Sequence, residues 1–76
     1  MLTLKLITLD DVRDYLKKIE SCDYDIVLSK GKFYTDGKSL MGILAMLGGT
    51  NIIAHIQNEF IEDFKSRCID YIVETW

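Results

Sequence analysis

Hydrophobic residues recur along most of this chain with the period of either a strand or a helix. Near the start, Leu2, Leu4 and Leu6 alternate with other residues, as expected for a half-buried strand. The first predicted elements are a strand from Leu2 to Leu6 and a helix that starts after Thr8 or Asp10, stops near residues 21–23 and buries Val12, Tyr15, Leu16 and Ile19. Strands follow around 24–29 and 33–34, then a short apolar helix over 40–47 that ends at Gly48-Gly49, and a strand over 52–56. A last helix buries Phe60, Ile61, Phe64, Cys68, Tyr71 and Ile72.

The element order β-α-β-β-α-β-α predicts an α+β fold in a single domain, residues 1–76. Only two of the helices are long and amphipathic, which favours one layer of helices on a four-stranded sheet. Clean alternation in the strands indicates an antiparallel sheet whose second face is largely exposed. We therefore expect an open-faced sandwich. A ferredoxin-like split βαβ arrangement is the alternative.

Composition narrows the class of function. The net charge is −3, and the longest run of basic residues is Lys17-Lys18, so the chain lacks the basic stripe that nucleic-acid binding requires. The longest apolar segment, 40–47, is too short for a membrane helix, and the first residues do not have the pattern of a signal peptide. These features predict a cytoplasmic protein in which Cys22 and Cys68 are reduced.

The single histidine, His55, is the obvious candidate for acid–base chemistry. It lies in the middle of a predicted strand, and no nucleophile or orienting group is expected beside it. The sequence contains no phosphate-binding loop, no nucleophile elbow and no metal-ligand spacing. We therefore expect a protein that is not an enzyme and has no metal or cofactor.

The segment around Ser39 is a stronger candidate for a functional site. A helix as short as 40–47 cannot bury residues on all sides, so Leu40, Met41 and Leu44 are expected to form an apolar patch for a protein partner, with Lys38 as a charged anchor. Ser39 stands at the start of the helix, where a phosphate would meet free backbone amides. The alternative is that these side chains are ordinary core and Ser39 is only a helix cap.

The stretch Lys38-Ser39-Leu40-Met41-Gly42-Ile43-Leu44, opening the second helix of a β-α-β-β-α-β-α chain, resembles the histidine-containing phosphocarrier (HPr) family of the bacterial sugar phosphotransferase system. The run 25–32 is similar to the hairpin of that family. In the family, a histidine opening the first helix carries the phosphoryl group. The matching place here is about Ile7-Thr8-Leu9, which has no histidine. The resemblance therefore implies a variant that cannot transfer phosphate through histidine.

The regulatory serine of the family matches Ser39, and its partner-contact residues match Leu40, Met41 and Leu44. The resemblance implies an HPr-like regulatory or adaptor protein controlled by phosphorylation at Ser39. The implied partners are a serine kinase or a transcriptional regulator of the phosphotransferase system. Two alternatives stay open, namely a phosphocarrier with an unconventional acceptor and a degenerate interaction domain with no switch.

Overall fold

The computed structural model describes residues 1–47 and 52–75, with the side chains of residues 74 and 75 excepted. The elements are β1 (Leu2–Leu4), α1 (Leu9–Ile19), β2 (Val27–Lys30), β3 (Phe33–Asp36), α2 (Leu40–Leu44), β4 (Ile52–His55), α3 (Ile61–Arg67) and β5 (Ile72–Thr75), with 3₁₀ turns at Asn58–Phe60 and Ile69–Tyr71.

The strands form one antiparallel sheet in the order β3-β2-β4-β1-β5. β2 and β3 form a hairpin around Gly31, whose φ of 62° suits glycine in a two-residue turn. β4 lies between β2 and β1, with Ala54 opposite both Leu28 and Leu2. The chain is therefore α+β with an open antiparallel sheet, as predicted.

The core lies between the sheet and the helices. Leu2, Leu28 and Ala54 of the sheet are fully buried, as are Tyr15 of α1 and Phe64 of α3. The rings of Tyr15 and Phe64 meet edge to face, with centroids 6.4 Å apart. This packing brings the helices together over one face of the sheet.

The prediction of four strands was wrong, because the end of the chain forms a fifth strand. α3 runs only from Ile61 to Arg67, so four residues predicted for the last helix lie outside it. Phe60 and Tyr71 lie in 3₁₀ turns, Cys68 is the C-cap of α3, and Ile72 begins β5. β5 pairs with β1, which would otherwise be an edge strand. Ile72 still packs against the core, so its apolar character suits either a helix or a strand, and spacing alone could not distinguish the two.

Several predicted boundaries also shift. Thr8 is the helix cap of α1 and Asp10 is not. β1 stops at Leu4 and β2 starts at Val27, although Leu6 and Ile26 beyond them are buried. α2 ends at Leu44, not at residue 47, and the predicted stop at Gly48-Gly49 lies outside the described residues.

Candidate functional site

The turn between β3 and α2 is held tightly against the rest of the molecule. The Gly37 amide donates to the Ile26 carbonyl at 2.7 Å, and the Tyr15 hydroxyl donates to the Gly37 carbonyl at 2.9 Å. A Cβ at position 37 would overlap the Ile26 side chain, so glycine is required by the close approach of the two segments. The start of α2 is therefore placed by buried contacts to α1 and to the segment before β2.

Ser39 caps α2, as its sequence position suggested. Its Oγ accepts a hydrogen bond from the Gly42 amide at 3.2 Å, and its own amide donates to the Asp36 carbonyl at 3.1 Å. The side chain is half-buried. Because Oγ is only an acceptor in this cap, its own proton is free to be replaced by a phosphoryl group.

The first turn of α2 presents apolar side chains to solvent. Met41 is 77% exposed and Leu40 is 42% exposed, whereas Leu44 is half-buried and Ile43 is fully buried. We call the surface formed by Ser39, Leu40, Met41 and Leu44 the α2 tip. Leu40 and Met41 are therefore surface residues, whereas Leu44 is partly covered.

Lys38 is exposed but tied to its neighbours. Its Nζ donates to the Cys22 carbonyl at 2.9 Å, and its amide donates to Asp36 Oδ1 at 3.0 Å. The side chain therefore runs back toward the end of α1 and bridges α2 to that helix. The ammonium group is held beside the α2 tip rather than extended into solvent.

A groove of about 480 Å³ lies between α1 and the start of α2 and adjoins the α2 tip. Leu16 and Leu40 line it, together with the cations Arg13, Lys17 and Lys38 and the anion Glu20. The side chains of Arg13 and Lys17 form no hydrogen bond or ion pair in the part of the chain that the structure describes. The sequence did not predict this groove, because Arg13 and Lys17 were assigned only to the solvent-exposed face of α1. Their i, i+4 spacing was the available signal.

Thr8, in the segment that the sequence resemblance matched to the phosphorylated histidine of the HPr family, is engaged in a capping box. Its Oγ1 accepts from the Asp11 amide at 3.1 Å, and Asp11 Oδ2 accepts from the amides of Ile7 and Thr8 at 3.0 and 3.1 Å. These two backbone hydrogen bonds hold the pKa of Asp11 below its usual value. The described contacts of Thr8 therefore account for it as a helix cap.

His55 does have a partner, contrary to the expectation from sequence. Its Nε2 lies 2.8 Å from Ser29 Oγ, and the ring of Tyr34 lies 6.1 Å away, centroid to centroid. Ser29 comes from the neighbouring strand, which sequence spacing could not pair with β4. Ser29 is 5% exposed, and Asp25, which shares a shallow pocket with His55, forms no hydrogen bond to it. The pair satisfies a buried hydroxyl on the open face of the sheet.

Within the described residues, no group of three or more side chains could hold a metal ion, and no helix is long and apolar enough to cross a membrane. Cys22 and Cys68 are both buried free thiols. Comparison of the chain with protein-family models, with curated proteins and with solved structures finds no match.

Proposed function

We propose that this chain is a cytoplasmic HPr-like regulatory or adaptor protein that docks onto protein partners through the α2 tip and Lys38, under the control of phosphorylation at Ser39. In this proposal it is not an enzyme, and it does not carry phosphate on histidine. The observation that carries the proposal is the exposure of Met41 and Leu40 directly beside the Ser39 cap.

Met41, at 77% exposure, is the most exposed large hydrophobic residue among those described, and with Leu40 beside it the α2 tip offers apolar area that a partner can cover. Methionine adapts its shape to a partner because its side chain is flexible and polarizable. The adjoining groove adds the charges of Arg13 and Lys17, which have no ion-pair partner among the described residues. We infer a partner surface that is apolar at its centre and acidic at its rim.

A phosphate on Ser39 would change this surface in two ways. It would add close to two negative charges beside a groove lined by Arg13, Lys17, Lys38 and Glu20, so the net positive charge of the lining would be largely cancelled. It would also place acceptor oxygens near the first amides of α2, where the existing cap already uses the Gly42 amide. Docking to an acidic partner surface should therefore weaken, whereas a partner that offers arginine to the phosphate should bind more tightly.

Phosphorylation is tested by incubating the chain with an HPr serine kinase of the phosphotransferase system and ATP, followed by intact-mass and peptide mass spectrometry. We expect one added phosphate, located on Ser39 and absent from Ser39→Ala. Ser66→Ala, which removes an exposed serine of α3, is the matched control and should be modified normally. No modification of the chain while a reference HPr is modified would refute the switch.

Docking is tested by calorimetric titration with the same kinase and with a transcriptional regulator of the phosphotransferase system. Met41→Asp should weaken binding at least about tenfold, because it places a charge at the centre of the contact. Ile69→Asp alters a residue that is 63% exposed on a different element and should bind as the wild type does. Equal binding by the two variants, or no binding by wild type to either protein, would refute the α2 tip as the docking site.

The phosphocarrier alternative has its own test. Label from phosphoenolpyruvate would be passed through the first enzyme of the phosphotransferase system to the chain, and acid-labile label would be sought on His55. We expect none, since His55 is half-buried and its Nε2 is engaged with Ser29. Labelled His55 would replace the adaptor proposal with a carrier function.

A further inference from the structure

β3 is an edge strand of the sheet as described, and its Asp36 end is covered by the turn whose Ser39 amide donates to the Asp36 carbonyl. It stands at one end of the strand order and pairs only with β2 among the described strands. Two large aromatic residues lie on it, Phe33 at 46% exposure and Tyr34 at 63%. An edge strand with exposed apolar side chains is a ready template for another strand.

The hairpin turn determines which backbone groups of β3 point outward. Lys30 and Phe33 flank the two-residue turn, so they form a hydrogen-bonded pair, and the pairs alternate from there along the antiparallel ladder. Phe33 and Thr35 therefore direct their amides and carbonyls toward β2. Tyr34, between them, directs its amide and carbonyl to the free edge. The backbone amide and carbonyl of Tyr34 are therefore available to hydrogen-bond with another strand.

The residues around Tyr34 are complementary to their own copy when a second β3 runs antiparallel to the first. With Tyr34 opposite Tyr34, Phe33 faces Thr35, and Lys32, the turn residue directly before β3, comes within side-chain reach of Asp36 of the other copy. Lys32 is exposed, and its side chain forms no hydrogen bond or ion pair in the described part of the chain. Asp36 is exposed and uses Oδ1 for the Lys38 amide, which leaves Oδ2 available.

We propose that β3 pairs with β3 of a second copy of this chain about a two-fold axis at Tyr34, joining the two five-stranded sheets edge to edge. The occupant is a second copy because the two Lys32–Asp36 pairs match only in this self-register. An edge lysine ordinarily discourages strand addition. Here the facing Asp36 neutralises it, so the charge selects one register instead of preventing pairing.

The interface is small, because it consists of one short strand from each copy. It is therefore well below the roughly 1,200 Å² of a stable interface, and the dimer forms at high protein concentration and dissociates on dilution. Salt should weaken it, since both ion pairs lie at the surface. This inference does not depend on Ser39 or on the proposed adaptor function.

Sedimentation velocity over about 10 µM to about 1 mM protein tests the dimer by mass action. The wild type should shift from monomer to dimer across the series. Lys32→Asp and Asp36→Lys should each raise the dimer dissociation constant by about tenfold or more, because each places like charges opposite each other twice. Lys5→Asp makes the same charge change as Lys32→Asp in the segment after β1, and it should dimerise as the wild type does.

The decisive sample is an equimolar mixture of Lys32→Asp and Asp36→Lys. In the mixed dimer, two carboxylates from one copy face two ammonium groups from the other, so association should return while each variant alone stays monomeric. Circular dichroism checks that both variants are folded. A monomeric wild type at the highest concentration, a dimer unaffected by Lys32→Asp, or a mixture that stays monomeric would each overturn the proposal.

Discussion

At the scale of single residues, Tyr15 connects the core to the candidate site. It is fully buried, its ring meets Phe64, and its hydroxyl donates to the Gly37 carbonyl in the turn before Ser39. Burial raises the pKa of this hydroxyl above its usual value, so it stays a protonated donor. One side chain thereby links the packing of α1 to the position of the α2 tip.

Tyr15→Phe should lower the free energy of unfolding by about 1–2 kcal/mol, because it leaves the Gly37 carbonyl without its buried donor. Tyr34→Phe removes a hydroxyl from a side chain that is 63% exposed and should change stability by less than about 0.5 kcal/mol. Urea unfolding of both variants provides the comparison. Equal stability of the two would mean that the Tyr15 hydrogen bond contributes nothing net.

Cys68 should be chemically inert in the native protein. Burial raises the pKa of its thiol to about 12, so little thiolate forms at neutral pH, and the side chain is fully covered. In a Cys22→Ala background, its reaction with a disulfide reagent near pH 8 should be slowed at least about 100-fold relative to the unfolded chain. Complete native labelling within minutes would contradict the buried position.

At the scale of elements, α1 and α2 begin at the side-chain caps Thr8 and Ser39, whereas α3 begins without a side-chain cap, and the close packing of α2 depends on glycine. α2 is only five residues long, with Gly42 against Thr35 of β3. Isolated helices of this length are not stable in water, so α2 forms because the sheet and α1 hold it. The α2 tip is therefore a product of packing more than of helix propensity.

Gly42→Ala should destabilise the protein by about 1–3 kcal/mol despite the better helix propensity of alanine, because the new Cβ overlaps the Thr35 side chain. Combining it with Thr35→Ala should recover part of the loss, giving a favourable coupling in a double-mutant cycle. Thermal unfolding of the four proteins measures this. Additive effects of the two substitutions would contradict the contact.

The capping box of α1 should make stability depend on acid. Hydrogen bonds from the amides of Ile7 and Thr8 lower the pKa of Asp11 in the folded state below its ordinary value of 3.8. A lowered folded pKa contributes stability that is present above the ordinary value and is lost as the pH falls through the folded pKa. Hydrogen bonds from Tyr71 and Arg67 are the chief cause of the lowered pKa values of Asp14 and Asp63, respectively. These two carboxylates should therefore also make the protein less stable in acid.

In urea unfolding between about pH 6 and about pH 2, the urea concentration at the midpoint should therefore decrease once the pH drops below the ordinary carboxyl pKa. Asp11→Asn should reduce this dependence. Asp10→Asn makes the same charge change on the same turn and should retain the acid sensitivity that Asp11 confers. An unchanged pH profile in Asp11→Asn would show that the capping carboxylate is not the source.

At the scale of the whole molecule, polar contacts attach the C-terminal segment to α1. Lys18 pairs with Asp70 at 3.1 Å, Arg67 donates to Ser21 Oγ at 2.8 Å, and the Tyr71 hydroxyl donates to Asp14. β5 completes this attachment by pairing with β1. The first and last parts of the chain are therefore joined both through the sheet and through side chains.

Phe64→Ala should cost about 3–5 kcal/mol, because it opens a cavity beneath Tyr15 in the shared core. Total stability for a chain of this length is about 4–11 kcal/mol, so much of the population should unfold on mild heating. Ile69→Ala, at a residue that is 63% exposed, should change stability by less than about 0.5 kcal/mol. Calorimetry of the two variants tests the single-core description.

The sequence by itself determined the α+β class, the antiparallel pairing, the Ser39 cap and the exposure of Met41, since all of these follow from local periodicity and capping chemistry. Only the tertiary structure decided the rest. Tyr71 and Ile72 are not part of α3, because β5 pairs with the otherwise open side of β1. Ser29 is hydrogen-bonded to His55 because β2 lies beside β4. Arg13 and Lys17 line a groove because α2 packs beside α1. Each of these outcomes joins residues distant in the chain, and a pattern of period two or 3.6 carries no information about such pairs.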